Sequence, residues 1–327
     1  MKPCTTWTEA AADCRSGVSL HSHTSHSRET LECLPRLAEG SPLLRGMLRL
    51  AADCYRRQRN RELDYRAEWW RPPLGPREAL ALERGQIEQL GLRPLVSITD
   101  HDNIEAPQLL RLLSESRDMP VSVEWTVPWR GTEFHVGVHQ MAPRRASEKM
   151  AALRAFTADP GEQELGGLLE WLAEEPETLI VLNHPLWDEK GVGRDRHAGL
   201  AIAFVREYRR WVHALELNGL RAKAENHLVL EMAAQLGMAA VAGGDRHGME
   251  PNALINVTRA RTFAEFVEEI REDRISSVVS MPQYGVPRYM RIASLVLEVL
   301  RARWDGWHPE EKSASTIRGS CVRDSSY

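Results

Sequence analysis

Short apolar runs and longer amphipathic stretches alternate along the chain. Seven of the short runs end in residues that could bind a divalent metal. The run 18–20 leads into His21-Ser22-His23, and 95–99 leads into Asp100-His101-Asp102. Residues 121–123 deliver Glu124, and 134–138 carry His135 with His139 just beyond. The run 179–182 is followed by Asn183-His184-Pro185, 214–215 by Glu216 and Asn218, and 239–242 by Gly243-Gly244-Asp245-Arg246-His247. Runs of this length predict strands. Between them, residues 77–90, 107–116, 164–173, 201–211, 222–236 and 262–272 have helical spacing and are rich in Ala, Leu and Glu. Strand followed by helix, repeated, predicts an α/β fold. If the strands lie parallel in one barrel or sheet, their C-terminal ends are side by side, so ligands remote in sequence converge on one pocket.

Three segments fall outside this rhythm. Residues 1–16 read as a polar lead-in, and 309–327 hold too few large apolar residues to pack, which predicts a disordered tail. The third segment, about 35–76, predicts a helical insertion after the first strand. It is rich in arginine and carries Tyr55, Tyr65, Trp69 and Trp70. Such a segment could cap a phosphorylated substrate with arginines and aromatic rings. The alternative is a solvated helical excursion or an oligomer contact, favoured because Asp53, Glu62, Asp64 and Glu68 offset much of its charge. The remaining boundaries are a main domain over 17–290 and a C-terminal helix over 291–308.

At 327 residues the chain can bury one large core, and a (β/α) barrel of about 250 residues would use most of it. A formal charge of -4 gives no global reason to bind a long polyanion. A short oligonucleotide stays open as a ligand. The cysteines, Cys4, Cys14, Cys33, Cys54 and Cys321, are odd in number and form no C-x-x-C pair, so neither a disulfide framework nor a thiolate zinc site is expected. No run approaches the ~20 apolar residues that span a bilayer. A soluble protein of the reducing cytoplasm is the expectation, with its oligomeric state open.

The strand-end residues carry the chemistry. Side chains alternate along a strand, so the imidazoles of His-x-His point to the same side and can share a metal. With His101, Glu124, His135, His184 and the Asp245-x-His247 pair added, eight candidate ligands result. One ion does not need so many, so two or three divalent ions are expected. Strand-end turns ordinarily favour Gly, Asn, Asp and Ser over His, which sets these histidines apart from His197, His213, His227 and His308. His26 and His139 remain ambiguous. Phosphoester hydrolysis needs a nucleophile at neutral pH and neutralised phosphoryl oxygens, and ions about 3.5–4 Å apart supply both.

The ordered set His21-Ser22-His23-Thr24, Ile98-Thr99-Asp100-His101-Asp102, Val123-Glu124, Glu133-Phe134-His135, Asn183-His184-Pro185, Glu216-Leu217-Asn218 and Gly244-Asp245-Arg246-His247 resembles the polymerase-and-histidinol-phosphatase (PHP) family of metal-dependent phosphoesterases. The resemblance covers residues 18–287. It implies a distorted (β/α)7, TIM-like barrel holding two or three ions, usually manganese, iron or zinc, with a metal-bound hydroxide attacking phosphorus. By matching motif it implies the ligands His21, His23, His101, Glu124, His135, His184, Asp245 and His247. Asp100, His101, Asp245 and His247 are the candidates for catalytic roles.

One stretch departs from the family pattern. Many members follow His-x-His with Ser-Asp-Gly or a further His, whereas this chain has Ser25-His26-Ser27-Arg28-Glu29. Arginine stays protonated and cannot ligate a metal. Either His26 or Glu29 substitutes, or fewer ions bind and Arg28 grips a phosphate oxygen. Arg246 is a second candidate for that grip. Trp125 and Trp187, close to ligands in sequence, are candidates for an aromatic wall beside the substrate, with Trp129 in the next turn.

The expected activity is hydrolysis of a small phosphorylated metabolite or nucleotide. One alternative is an amidohydrolase-type C–N hydrolase, disfavoured because no lysine stands near the strand ends between His101 and His184. Another is a metal-binding scaffold that has lost catalysis.

Overall fold

The computed structural model describes residues 13–304, apart from 28, 40, 275 and 276. Arg28, His308 and the expected tail therefore lie outside the described residues, as does most of the expected lead-in. The strands are β1 (Ser16–Ser22), β2 (Glu29–Thr30), β3 (Trp69–Trp70), β4 (Arg93–Val96), β5 (Val121–Trp129), β6 (Thr132–Met141), β7 (Leu179–Asn183), β8 (Ala214–Asn218), β9 (Ala239–Arg246), β10 (Leu254–Thr258) and β11 (Ser277–Ser280). Nine of them form one sheet in the order β11-β10-β1-β9-β8-β7-β6-β5, with β4 also pairing β1.

This mixed α/β architecture departs from the expected parallel barrel in two ways. First, the sheet is mixed: β10 runs antiparallel to β1 and β11, and β6 runs antiparallel to both β5 and β7. For β6 the cause is local: only Arg130 and Gly131 separate β5 from β6, with φ of 47° and 79°. A two-residue loop with both residues at positive φ makes a hairpin, whereas parallel pairing needs a long crossover. Second, the strand ladder does not close. The chain after β4 meets β5 through the isolated parallel bridge His101↔Glu124.

Strand alternation divides the core. Ile180, Leu182, Leu215, Leu217, Ala240 and Ala242 face a cluster with Leu153, Leu169, Phe204 and Val229 from the surrounding helices. Leu179, Val181, Ala214, Ala239 and Val241 face the opposite side, with Val18, Leu20, Phe263 and Phe266. Successive residues of one strand thus serve two cores, the period of two that an extended chain imposes. Among the described residues no helix is long and apolar enough to cross a membrane.

The insertion forms the helices Cys33–Leu37 and Pro42–Arg59 and the small ribbon β2-β3. Ser41 caps the second helix by accepting a hydrogen bond from Leu44 N. Asn60 ends that helix in the left-handed region. Leu31, Leu34, Leu37, Leu44, Leu48 and Trp70 pack with Ile292 and Val296 of the C-terminal helix Arg288–Trp304 into a small core of their own. Its arginines turn away from that core: Arg56 pairs with Asp53 and Glu62, and Arg61 with Glu68.

Beneath the strand ends lies a buried polar network centred on Glu83, from the helix Pro76–Gln89. Its carboxylate accepts from Ser19 Oγ, Ser22 Oγ and Asn252 N, and stands 3.0 Å from Arg246 Nε. Arg246 donates in turn to the carbonyls of His23 and Gly248. Asn252 Nδ2 donates to Ser19 Oγ and Leu20 O. The network holds β1 where its register shifts between Leu20 and Ser22. Glu83→Ala leaves the Arg246 charge buried and uncompensated, which costs about 3–5 kcal/mol. Chemical denaturation should show a loss of that size, and an unchanged midpoint would contradict this role for Glu83.

Candidate active site

Glu124 stands at the centre of the site and is 0% exposed. Its Oε2 is 2.9 Å from His21 Nε2 and 3.2 Å from both His23 Nε2 and His101 Nε2. Its Oε1 is 3.2 Å from His184 Nε2 and 3.4 Å from His135 Nδ1, and accepts from Asn183 Nδ2 at 2.9 Å. Asp245 Oδ1 is 3.5 Å from His21 Nε2 and from His23 Nε2, and 3.3 Å from His247 Nδ1. The structure thus gathers all eight candidate ligands in one place. His135 arrives from the start of its strand rather than the end, because β6 is reversed.

The positions of these side chains require unusual backbone. His21, Asp102, His184 and Asp245 have positive φ of 60°, 46°, 27° and 53°. For residues with a Cβ each such conformation costs on the order of 1–3 kcal/mol. Strain concentrated at one set of strand ends marks a functional site.

A surrounding layer orients the cluster. His21 Nδ1 lies 2.5 Å from Glu216 Oε1. The other oxygen of Glu216 accepts from His184 N and Asn218 Nδ2, and Asn218 Nδ2 also reaches Asp245 Oδ2 at 3.2 Å. Gly243 gives Glu216 its space: a Cβ there would stand 1.6 Å from Glu216 Oε1.

Protonation follows from this packing. Burial works against charge at Glu124, Asp245, His21 and His135, yet opposite charges outweigh it at all four. The His21, His101 and His135 imidazoles hold the Glu124 carboxyl well below the usual range, and His21 and His247 do the same for Asp245. The Glu124, Glu216 and Asp245 carboxylates raise His21 well above its ordinary value. Glu124, Glu189 and Glu133 push His135 up to about 10. At His23, by contrast, burial and the nearby His247 act together to lower the pKa.

Some candidates serve other purposes. Asp100 is buried and accepts from Thr24 N and Thr24 Oγ1, which anchors the loop after β1. Trp125 does not border the substrate. It is 0% exposed, packs on Phe156 and donates to Leu153 O and Thr157 Oγ1. Trp129 is likewise buried, against Phe204 and Tyr208. Arg246 is not available to a phosphate, because Glu83 and two carbonyls occupy it. His26 pairs with Glu105 at 3.1 Å, away from the cluster. His139 is buried beside Ser97 Oγ, and burial with the His21 charge lowers it to about 3.

The cluster opens into a cleft of about 320 Å³. One wall carries His101, His135, His184, Asp245 and His247, and the other, from the insertion, carries Leu31, Leu34, Leu37, Trp69 and Trp70. Trp187 borders it, as does Arg221. Glu133 and Glu189 flank His135 Nε2 at 4.0 and 3.3 Å. Glu189 and Arg221 stand in loops beyond the strand ends, where no local pattern marked them. Glu216, in the Glu216-Leu217-Asn218 motif, joins the site through His21 Nδ1 and His184 N.

No protein-family model matches the chain, and no curated protein matches it significantly. Several solved structures are similar to it at low identity, and three of them are as follows. A proposed metal-dependent phosphoesterase from Bifidobacterium adolescentis shares 16% identity over 61% of this chain and 91% of its own, with a TM-score of 0.37. An amidohydrolase from Chromobacterium violaceum shares 13% over 68% and 91%, with a TM-score of 0.38. PsfC from Pseudomonas syringae shares 15% over 89% and 99%, with a TM-score of 0.42. All three likenesses are remote in sequence and in shape, and none bears on what the site does.

Two measurements follow from the site. Gly243→Ala displaces the Glu216 carboxylate and with it His21, so metal affinity should fall by roughly 10–100-fold, the usual effect of disturbing a ligand's support. Unchanged affinity would contradict the packing of Glu216 against Gly243. The second concerns pH and the metal-free protein. His21 and His135 are raised on folding, so their contribution is fully present below the unfolded value of about 6.5 and is lost as pH rises from there towards the folded values. His139 is lowered, so its contribution is lost as pH falls from about 6.5 towards 3. Stability should therefore peak near neutral pH, and a curve rising steadily through pH 9 would contradict these assignments.

Proposed function

We propose that this chain is a metal-dependent phosphoesterase of the PHP type, acting on a small phosphorylated metabolite or nucleotide. The observation that carries the reading is the buried Glu124 carboxylate with five imidazoles turned towards it. His21 Nε2, Glu124 Oε2 and His135 Nδ1 are buried and make no hydrogen bond. Leaving such atoms unsatisfied is costly, and divalent ions prefer this mixture of imidazole nitrogen and carboxylate oxygen.

His21, His23, Glu124 and Asp245 form one group that would hold an ion, and His101, Glu124 and His135 form a second. A third group, His23, His101 and His247, shares members with both. If the first two are filled, His247 is left to a third ion that must draw on substrate or water oxygens. His184 adjoins the second group through Glu124 Oε1. Divalent ions held there supply a nucleophile from water at neutral pH and neutralise phosphoryl oxygens.

The protein groups fix that geometry. Glu124 belongs to both groups and would serve both ions, Asn183 donates to its Oε1, and Glu216 fixes the ring of His21. The cleft would then lay the substrate between the charged wall and the apolar wall, which supports the aromatic half of the cap reading of residues 35–76, whereas Arg56 and Arg61 are turned to acids and do not line the cleft. Against a C–N hydrolase with a bridging lysine, Lys149 is buried on a helix and paired with Glu175 at 2.8 Å, while Lys190 pairs with Glu133 at 3.2 Å.

The test is phosphate release with added manganese from mononucleotides, short oligonucleotides and sugar phosphates. Turnover is expected for the wild type. His101→Ala and Asp245→Ala should lose on the order of a hundredfold or more while keeping the wild-type circular dichroism spectrum. Full activity in both variants, or no release from any phosphoester by metal-loaded protein, would overturn the reading.

A further inference from the structure

We infer that Arg221 receives an oxygen of the substrate's phosphate, with Trp187 as its platform. The word phosphate rests on the function proposed above, whereas the anion site rests on geometry alone. Arg221 stands three residues beyond the end of β8 and is 5% exposed. Its guanidinium lies 3.8 Å over the Trp187 ring and borders the cleft together with His184, Asp245 and His247.

The neighbours of Arg221 leave its donors largely unspent. Nη2 is 3.9 Å from Asp245 Oδ2, and Nε is 4.0 Å from Glu225 Oε1, both beyond hydrogen-bond distance. Nε and Nη1 are buried and make no hydrogen bond. An arginine cannot relieve this by losing its proton. Buried donors without acceptors cost free energy that a bound anion recovers.

The shape of the group narrows the anion. Stacking on Trp187 holds the guanidinium flat, so its fork can offer paired donors to the oxygens of a phosphate. A phosphate bridging the metal groups and Arg221 would point its ester substituent towards Leu34, Leu37, Trp69 and Trp70. Arg246, the arginine adjoining a ligand in sequence, is held by Glu83 and cannot take this part.

The test is calorimetric titration of inorganic phosphate into manganese-loaded wild type, Arg221→Gln and Arg221→Lys, with metal content measured on each. Arg221→Gln should weaken phosphate binding by about tenfold or more with metal retained, and raise KM more than it lowers kcat on any phosphoester turned over. Arg221→Lys keeps the charge without the fork and should bind phosphate more weakly than wild type. Wild-type phosphate affinity in Arg221→Gln with metal retained would overturn the inference. If Arg221→Gln loses metal, Arg221→Lys decides by the same criterion, and metal loss from both would make Arg221 a support for Asp245 instead. Absence of phosphate binding by the wild type also overturns it. Phosphate binding that depends on Arg221, without hydrolysis of any phosphoester, would leave the anion site standing and remove the proposed function.

Discussion

A carboxylate with no exposure to water has to be compensated, and the architecture around Glu124 is organised by that requirement. Five imidazoles from four separate chain segments point at its two oxygens. Bringing them there forces positive φ at His21 and His184 and also at Asp245, and a register shift in β1. Such strain persists only where surrounding structure over-determines it. The Glu83 network beneath β1 and the Glu216 carboxylate beside Gly243 provide that restraint. The helices and apolar clusters further out keep these strand ends in register.

Two arginines near the cluster meet opposite surroundings. Arg246 adjoins two ligands in sequence, yet it faces downward into Glu83 and fixes the backbone of His23. Arg221 belongs to no motif, yet its guanidinium lies at the cleft with donors to spare. The insertion makes a similar division: Arg56 pairs with Asp53 and Glu62 at the surface, while leucines and tryptophans form the apolar wall. The cleft thus has one wall of imidazoles and a carboxylate with Arg221 beside it, and one apolar wall.

Much of this was legible in the residue pattern, for physical reasons. Each of the seven apolar runs contributes to a sheet strand, because burial on both faces demands continuous apolar side chains. Their polar ends met because neighbouring strands end together. Strand direction was not legible from apolarity, which is the same read either way; the signal lay in the two residues Arg130 and Gly131. Trp125 was misplaced although alternation could have corrected it. With Glu124 facing inward, the next residue must face the helices. Glu83 left no trace, since a single buried acid in an amphipathic helix looks like any surface glutamate. Arg221 was equally silent, because its position depends on a turn and on Trp187, 34 residues earlier in the chain.

The central claim is that the Glu124 cluster is a multi-metal centre, and elemental analysis of protein purified without chelator tests it most directly. Two or three divalent ions per chain are expected in the wild type, with a clear loss in Glu124→Gln, whose amide cannot serve two ions as the carboxylate does. A wild type that carries no metal, and takes up none when manganese, iron or zinc is supplied, would contradict the account.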